Sequence, residues 1–184
     1  MREKITISIL IAVVAIVIIA TILVFGRKGP PPIEEQLDLL LSNGDGVNIV
    51  SEDGGKIDSL QGGITATKIY ESIEYSVLSE EVNGSNANFE VQFTTPDIVR
   101  MAGSFSAEHA EKQDIDFNSW LIDALDTEYA TTKKTISLAM VYQNRDWALV
   151  ANNDLYDVLT GGALNYYADQ QKKSFEAWKE IAES

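Results

Sequence analysis

Hydrophobic positions fall into one long unbroken run followed by a series of short periodic ones. From Ile5 to Phe25 the chain is almost wholly Ile, Val, Ala and Leu, with Thr6, Ser8 and Thr21 as the polar exceptions. About 20 apolar residues in a helix span a hydrocarbon core of about 30 Å. A secretory signal has a shorter apolar core and a small-residue cleavage site. "TILVFGRKGPPP" offers bulky side chains where a signal peptidase would read. The pattern therefore favours an uncleaved anchor over residues 5–25, preceded by a short inner tail, residues 1–4. Pro30 to Pro32 cannot continue a helix and favour an extended spacer over residues 26–32. One domain then fills residues 33–184.

Within that domain the periodicity alternates between the two regular types. Ile33, Leu37, Leu40 and Leu41 recur at helical spacing with acids in the first turn, and Asn43-Gly44 is a stop signal. The Gly- and Asp-rich stretch from Gly44 to Gly63 fails the calcium-loop pattern, which needs acids where Leu41 or Ile49 stand. Turns and loops are the expectation there. Ile69, Ile73, Tyr75 and Val77 then share one parity, and Ala87, Phe89, Val91 and Phe93 share one beyond Asn83-Gly84. Alternation around Asn-Gly predicts a hairpin with one covered face.

Pro96-Asp97 opens a helix carrying Ile98, Met101, Ala102 and Phe105, with His109 a turn further on. A lone histidine without a second histidine or cysteine nearby is a helix-end residue more readily than a metal ligand. Asp114 and Asp116 read as first-turn or capping residues of a helix that turns Phe117, Trp120, Leu121, Ala124 and Leu125 inward. Strands are expected over Thr135–Tyr142 and Trp147–Ala151 around a polar turn. Asn152 to Asp154 cap a helix with Leu155, Val158 and Leu159, which stops at Gly161-Gly162. A last helix carries Leu164, Tyr167, Ala168, Gln171, Phe175, Trp178 and Ala182 at three-and-four spacing. Such a stripe predicts core packing. The fold class is α+β, a mostly antiparallel sheet packed on helices behind one membrane-spanning helix.

Charge and composition narrow the partners. The 184-residue chain has a net charge of −14, and Arg2 and Lys4 outweigh Glu3 in the tail, so the acid lies beyond the apolar run. That balance opposes nucleic-acid binding, which needs cations against phosphates, and opposes docking on anionic lipid. Basic residues flank the run on both sides, Arg2 and Lys4 before it and Arg27 and Lys28 after it. The positive-inside rule is nearly tied. A short tail ahead of a large acidic domain favours an extracytoplasmic domain on a single-pass membrane protein. The absence of cysteine rules out disulfides, cysteine–zinc sites and lipid attachment at cysteine.

The segments "YSVLSEEVNGSNANFEVQFTTPD", "KTISLAMVYQNRDWALVANND" and "LYDVLTGG" together resemble membrane-anchored or lipoprotein domains of the nuclear transport factor 2-like superfamily on Gram-positive bacteria. The resemblance covers roughly Ile33 to Leu164. It implies a curved sheet wrapped on helices as a cone with a pocket, and such a pocket would be lined by Tyr75, Phe89, Phe93, Trp120, Met140 and Tyr142. Members resembling ketosteroid isomerase need a buried acid–base pair. The inward parity of the first hairpin holds no carboxylate except Glu71 at its end. Nucleophile elbows, phosphate loops and metal-ligand clusters are absent from the sequence. The expectation is a non-enzymatic tethered domain, with no cofactor, that binds a protein partner or a small ligand. A scaffold subunit of a type IV secretion or conjugation-like complex is the alternative, since its single-span component has a similar layout. A small hydrolase or isomerase with a polar pocket is the third.

Overall fold

The computed structural model describes residues 29–42, 46–58, 63–109 and 116–183, with the backbone alone for 108–109 and 177–183. The chain divides into two compact units, residues 1–30 and 31–184, and the second is the one described. The apolar run 5–25 lies outside these residues, as do Asn43, Gly44, Asp114 and the side chain of His109. Among the described residues no helix is long and apolar enough to cross a membrane.

The second unit is α+β. Its elements run α1 (Ile33–Ser42), β1 (Ile49–Ser51), β2 (Lys56–Ile57), α2 (Ile64–Glu71), β3 (Glu74–Asn83), β4 (Asn86–Pro96), α3 (Ile98–His109), α4 (Phe117–Leu125), β5 (Thr131–Gln143), β6 (Asp146–Ala151), α5 (Asn153–Leu159) and α6 (Ala163–Glu183). Six strands form one mixed sheet in the order β2-β1-β6-β5-β4-β3. β1 runs parallel to β6, and the other neighbouring pairs are antiparallel.

Two turns set the register of the long strands. Gly84 takes a left-handed φ of 63° between β3 and β4, and Asn144 and Arg145 take φ of 53° and 72° between β5 and β6. Two successive positive-φ residues match the strand twist of a two-residue hairpin. Pairing then places Tyr75 opposite Phe93 and Val77 opposite Val91, and Phe89 opposite Leu138 and Val91 opposite Ile136. Buried side chains of β4 and β5 therefore share one face with Leu37, Leu40, Met101, Leu121, Leu125, Leu155 and Val158 from the helices. Asn88 and Glu90 on the other face are exposed. A bulge between Val77 and Ser79 leaves Leu78 and Val82 exposed at the free edge, where a bulge discourages strand addition.

Three expectations are corrected. The strand read from Ile69 begins at Glu74, because Ile69 belongs to α2 and reaches the core from a helix. The stretch from Gly44 to Gly63 is not all loop. Ile49 and Val50 are both buried as β1 pairs with β6, and Gly54, at φ 84°, turns the chain into β2. A strand covered on both faces shows no alternation, which hid it. The stripe of the last helix is not buried by its own domain along its described length: from Leu164 to Glu176 every residue is exposed.

Candidate functional site

Two adjoining clefts open where α3, α5 and α6 meet the end of the β4–β5 ladder, and Val99 lines both. Their walls follow from local sequence. Pro96 ends β4, the Asp97 carboxylate accepts the Arg100 N–H (2.9 Å), and α3 starts from that cap. Asn152 caps α5 by accepting the Leu155 N–H (2.8 Å). Gly161, at φ 61°, reverses the chain from α5 to α6, and its carbonyl accepts the Ile98 N–H (3.1 Å). The joint is tight: a Cβ at Gly161 would stand 2.3 Å from Ile98 Cγ1 and 2.5 Å from the Pro96 carbonyl oxygen.

The first cleft, about 260 Å³, is of mixed character, with Thr95, Asp97, Lys134 and Asp157 beside Val99 and Val158 in its wall. Lys134 leaves β5 opposite Phe93 and donates to Asp154 Oδ1 (2.8 Å) and Asp157 Oδ2 (3.2 Å). Asp157 is 5 % exposed, and its other oxygen accepts the Asn165 N–H (2.9 Å). Thr95 Oγ1 donates to the Val158 carbonyl (3.2 Å). Partial burial by itself lowers the Lys134 pKa, but the hydrogen bonds and charges of Asp154 and Asp157 outweigh it and hold the ammonium above the ordinary lysine value. A lysine held cationic donates hydrogen bonds and takes up no proton, and an aspartate with both oxygens engaged is a joint between β5, α5 and α6.

The second cleft, about 400 Å³, is a mostly apolar groove between α3 and α6. Ile98, Val99, Ala102, Gly103 and Ser106 form one wall, with Phe117 from α4, and Ala163, Tyr166 and Tyr167 the other. Phe117 is held by Phe105 (5.3 Å between rings) and Trp120 (6.0 Å).

No family model, curated protein or solved structure matches this chain.

Of the six residues expected to line a pocket, three belong to the buried core and three pack against it. Phe89, Phe93 and Met140 are buried in the core at 2 %, 0 % and 0 % exposure. Tyr75 stacks obliquely on Phe93 (6.1 Å), and its hydroxyl donates to Asp38 (2.6 Å) and lies 3.0 Å from the Glu34 carbonyl. Burial, and then the Asp38 hydrogen bond and the nearby acids, push that phenol above the ordinary tyrosine value. Tyr142 packs edge-on against Trp147 (5.6 Å), and Trp120 against Phe105 (5.3 Å). None of the six lines either cleft. Among the described residues no three of His, Asp and Glu converge as a metal site.

Sequence reasoning missed both clefts. Asp157 was hidden because its partner Lys134 is 23 positions away, on a strand read for its apolar residues. The groove left one signal, the small residues Ala102, Gly103 and Ser106 on one helix, which let another element approach closely.

Proposed function

We propose that residues 33–184 form an extracytoplasmic binding domain, non-enzymatic and tethered to the cell membrane by an uncleaved helix over residues 5–25. The observation that carries the binding reading is the groove of about 400 Å³ between α3 and α6. Its size is that of small-ligand clefts, and its apolar wall beside a few polar groups is their usual composition. Thr95, Asp97 and Lys133 at the adjoining cleft suit it to an amphiphile or peptide with an apolar body and a hydrogen-bonding end.

The tether is supported by the uncharged run from Ile5 to Phe25, the Pro30–Pro32 spacer and the acidity of the chain beyond them. The nuclear transport factor 2-like resemblance, with its curved, cone-like sheet, belongs to this same proposal. Its support is one sheet of six strands whose apolar face is covered by helices. A second reading, a scaffold subunit of a type IV secretion or conjugation-like assembly, is favoured by the exposed aromatic residues of α6, Tyr167 and Phe175.

The test uses the full chain purified from membranes, with mass measured for the intact chain and for any species bound to it. An N-terminus retaining Met1 supports the anchor, and one starting near Gly26 refutes it. Ala102→Trp fills the groove from a half-buried position in its wall. A bound species present in wild type and lost in Ala102→Trp supports the groove as the site; species retained equally by both overturn it.

A further inference from the structure

The tip of the β3–β4 hairpin carries an asparagine followed by a glycine. Asn83 closes a run of β3 exposed from Leu78 onward, and Gly84 is exposed beside it. An asparagine in front of glycine is open to attack on its own carboxamide, because the next main-chain nitrogen can close a five-membered ring on Cγ. Glycine brings no side chain to block that approach, and around Gly84 a Cβ would meet nothing within 4 Å. Whether the ring closes in the folded protein depends on what holds the reacting atoms.

Other positions of the same chain show what holding looks like. Asp53-Gly54, in the turn from β1 to β2, could close the same ring. Its Asp53 Oδ1 accepts from Ser51 Oγ and from the Gly55 N–H (3.3 Å), and the Gly54 N–H is donated to the Ser51 carbonyl (2.9 Å). Those bonds, Ser51 first, hold the Asp53 carboxyl below its ordinary value, so it stays a carboxylate, which is a poor electrophile. Asn48 donates its amide to the Trp147 carbonyl (3.3 Å). Asn152 donates to the Ser137 carbonyl (3.1 Å) while it caps α5. Asn86 and Asn88 share the hairpin with Asn83, but Ala87 and Phe89 follow them and are buried. Among the described residues nothing bonds to the Asn83 carboxamide or to the Gly84 N–H.

We infer that Asn83 is a site of deamidation in the folded protein, reached through a succinimide with the Gly84 nitrogen. The Gly84 nitrogen gives up its proton to water or hydroxide and bonds to Asn83 Cγ. The Cγ–Nδ2 bond breaks, and the amide nitrogen takes up a proton and leaves as ammonia. Water then opens the ring, at Cγ to give aspartate or at the main-chain carbonyl to give isoaspartate, and nothing is oxidised or reduced. Reaching the ring geometry requires only the closing pair, Asn83 with Asn86, to part, and such terminal pairs open locally far below the global unfolding energy. Isoaspartate adds one methylene to the main chain in a two-residue loop whose length sets the strand register, and either product adds a negative charge to a strand end that holds Glu80 and Glu81. The tip lies at the opposite end of β4 from Thr95 and the clefts, so the inference is independent of ligand binding there.

The test incubates the full chain, folded in detergent, at mildly alkaline pH in water enriched in oxygen-18. Digestion in ordinary water follows, and mass is measured for the tryptic peptide between Lys68 and Arg100, which contains Asn83, Asn86 and Asn88. A growing fraction of that peptide is expected to exchange the Asn83 amide for a carboxyl, to carry one labelled oxygen, and to separate into aspartyl and isoaspartyl forms. Asn83→Gln lengthens the ring by one carbon and is expected to slow the change at this position several-fold. A peptide that stays unlabelled, reaction at Asn86 or Asn88 in place of Asn83, or an unchanged rate in Asn83→Gln each overturns the inference. A change that appears only after unfolding in urea overturns it as well, and so does isoaspartate forming as fast at Asp53-Gly54, since the hydrogen bonds there would then protect nothing.

Discussion

Replacing Gly161 by alanine tests the joint that holds both clefts in place. Two costs arise there and can be separated. A left-handed φ of 61° costs an L-residue about 1–2 kcal/mol. The added Cβ also meets Ile98 Cγ1 at 2.3 Å and the Pro96 carbonyl oxygen at 2.5 Å. The carbonyl is backbone at the end of β4, so relief requires α3 or the α5–α6 turn to move. Overpacking of that kind costs about 1–3 kcal/mol. The expected loss is about 2–5 kcal/mol, a large part of the about 5–15 kcal/mol that holds a domain together. Gly162 supplies the internal control: its φ is 81°, yet a Cβ there meets nothing within 4 Å. Both substitutions stiffen the unfolded chain similarly, so their difference of about 1–3 kcal/mol isolates the steric contact. Urea unfolding of the full chain, followed by fluorescence with Trp147 buried in the core, measures it. Equal midpoints for Gly161→Ala and Gly162→Ala would refute the close approach of α3 to the α5–α6 turn.

Three further outcomes are expected of the same structure. Lys134→Met leaves the Asp157 carboxylate buried without its cation and should cost about 1–3 kcal/mol, below the value for a fully buried pair because Lys134 is partly exposed and screened. Since the folded pKa of Lys134 is raised, its contribution is complete below about 10.4, the unfolded value, and is lost as pH rises through the folded one. The alkaline limb of a stability–pH profile should therefore be shallower in Lys134→Met, and an unchanged limb contradicts the network. Tyr75→Phe removes a hydroxyl that ties β3 to α1 and should cost about 1 kcal/mol, a charge-assisted bond discounted for exposure. Of seven tyrosines, Tyr75 ionises late, so its stabilisation is present below about 10 and fades above; ultraviolet titration should lose one late step in the variant. Phe93→Ala, in the core, should cost about 3–5 kcal/mol, whereas Phe175→Ala, at an exposed position, should stay within about 0.5 kcal/mol. Comparable losses in urea unfolding would contradict the exposure of α6.

Legibility in the sequence tracked how local the determining physics is. The β3–β4 hairpin was readable because its alternation and its Asn83-Gly84 turn lie within one short segment, and the observed pairing of Tyr75 with Phe93 keeps the expected parity. Asp116 and Asn152 were readable as caps because a cap bonds three residues ahead, to Ser119 and Leu155. β1 was not, because its two buried neighbours, Ile49 and Val50, carry no alternation, and their partner β6 lies about a hundred positions away. The clefts were illegible for the same reason. They are made by the meeting of α3 with α6 and of β5 with α5, pairs that no local pattern links.

α6 separates two properties that sequence patterns join. An apolar stripe at helical spacing states that a helix has a face to bury, and α6 is helical throughout that stripe. Where the stripe is buried depends on whether the domain has room for it. Here the apolar side of the sheet is already covered by α1, α2, α3, α4 and α5, whose Leu37, Ile69, Met101, Leu121 and Leu155 share one cluster with β4 and β5. A sixth helix finds that face occupied. Only its first turn stays against the domain, at Ala163 and through the Asn165 N–H on Asp157, and the Gly161-Gly162 reversal directs the later turns away. The same glycine that allows α3 to close on the α5–α6 turn thus fixes the direction in which α6 departs. Strain at Gly161 should therefore disturb both clefts together, since its turn joins the walls of each.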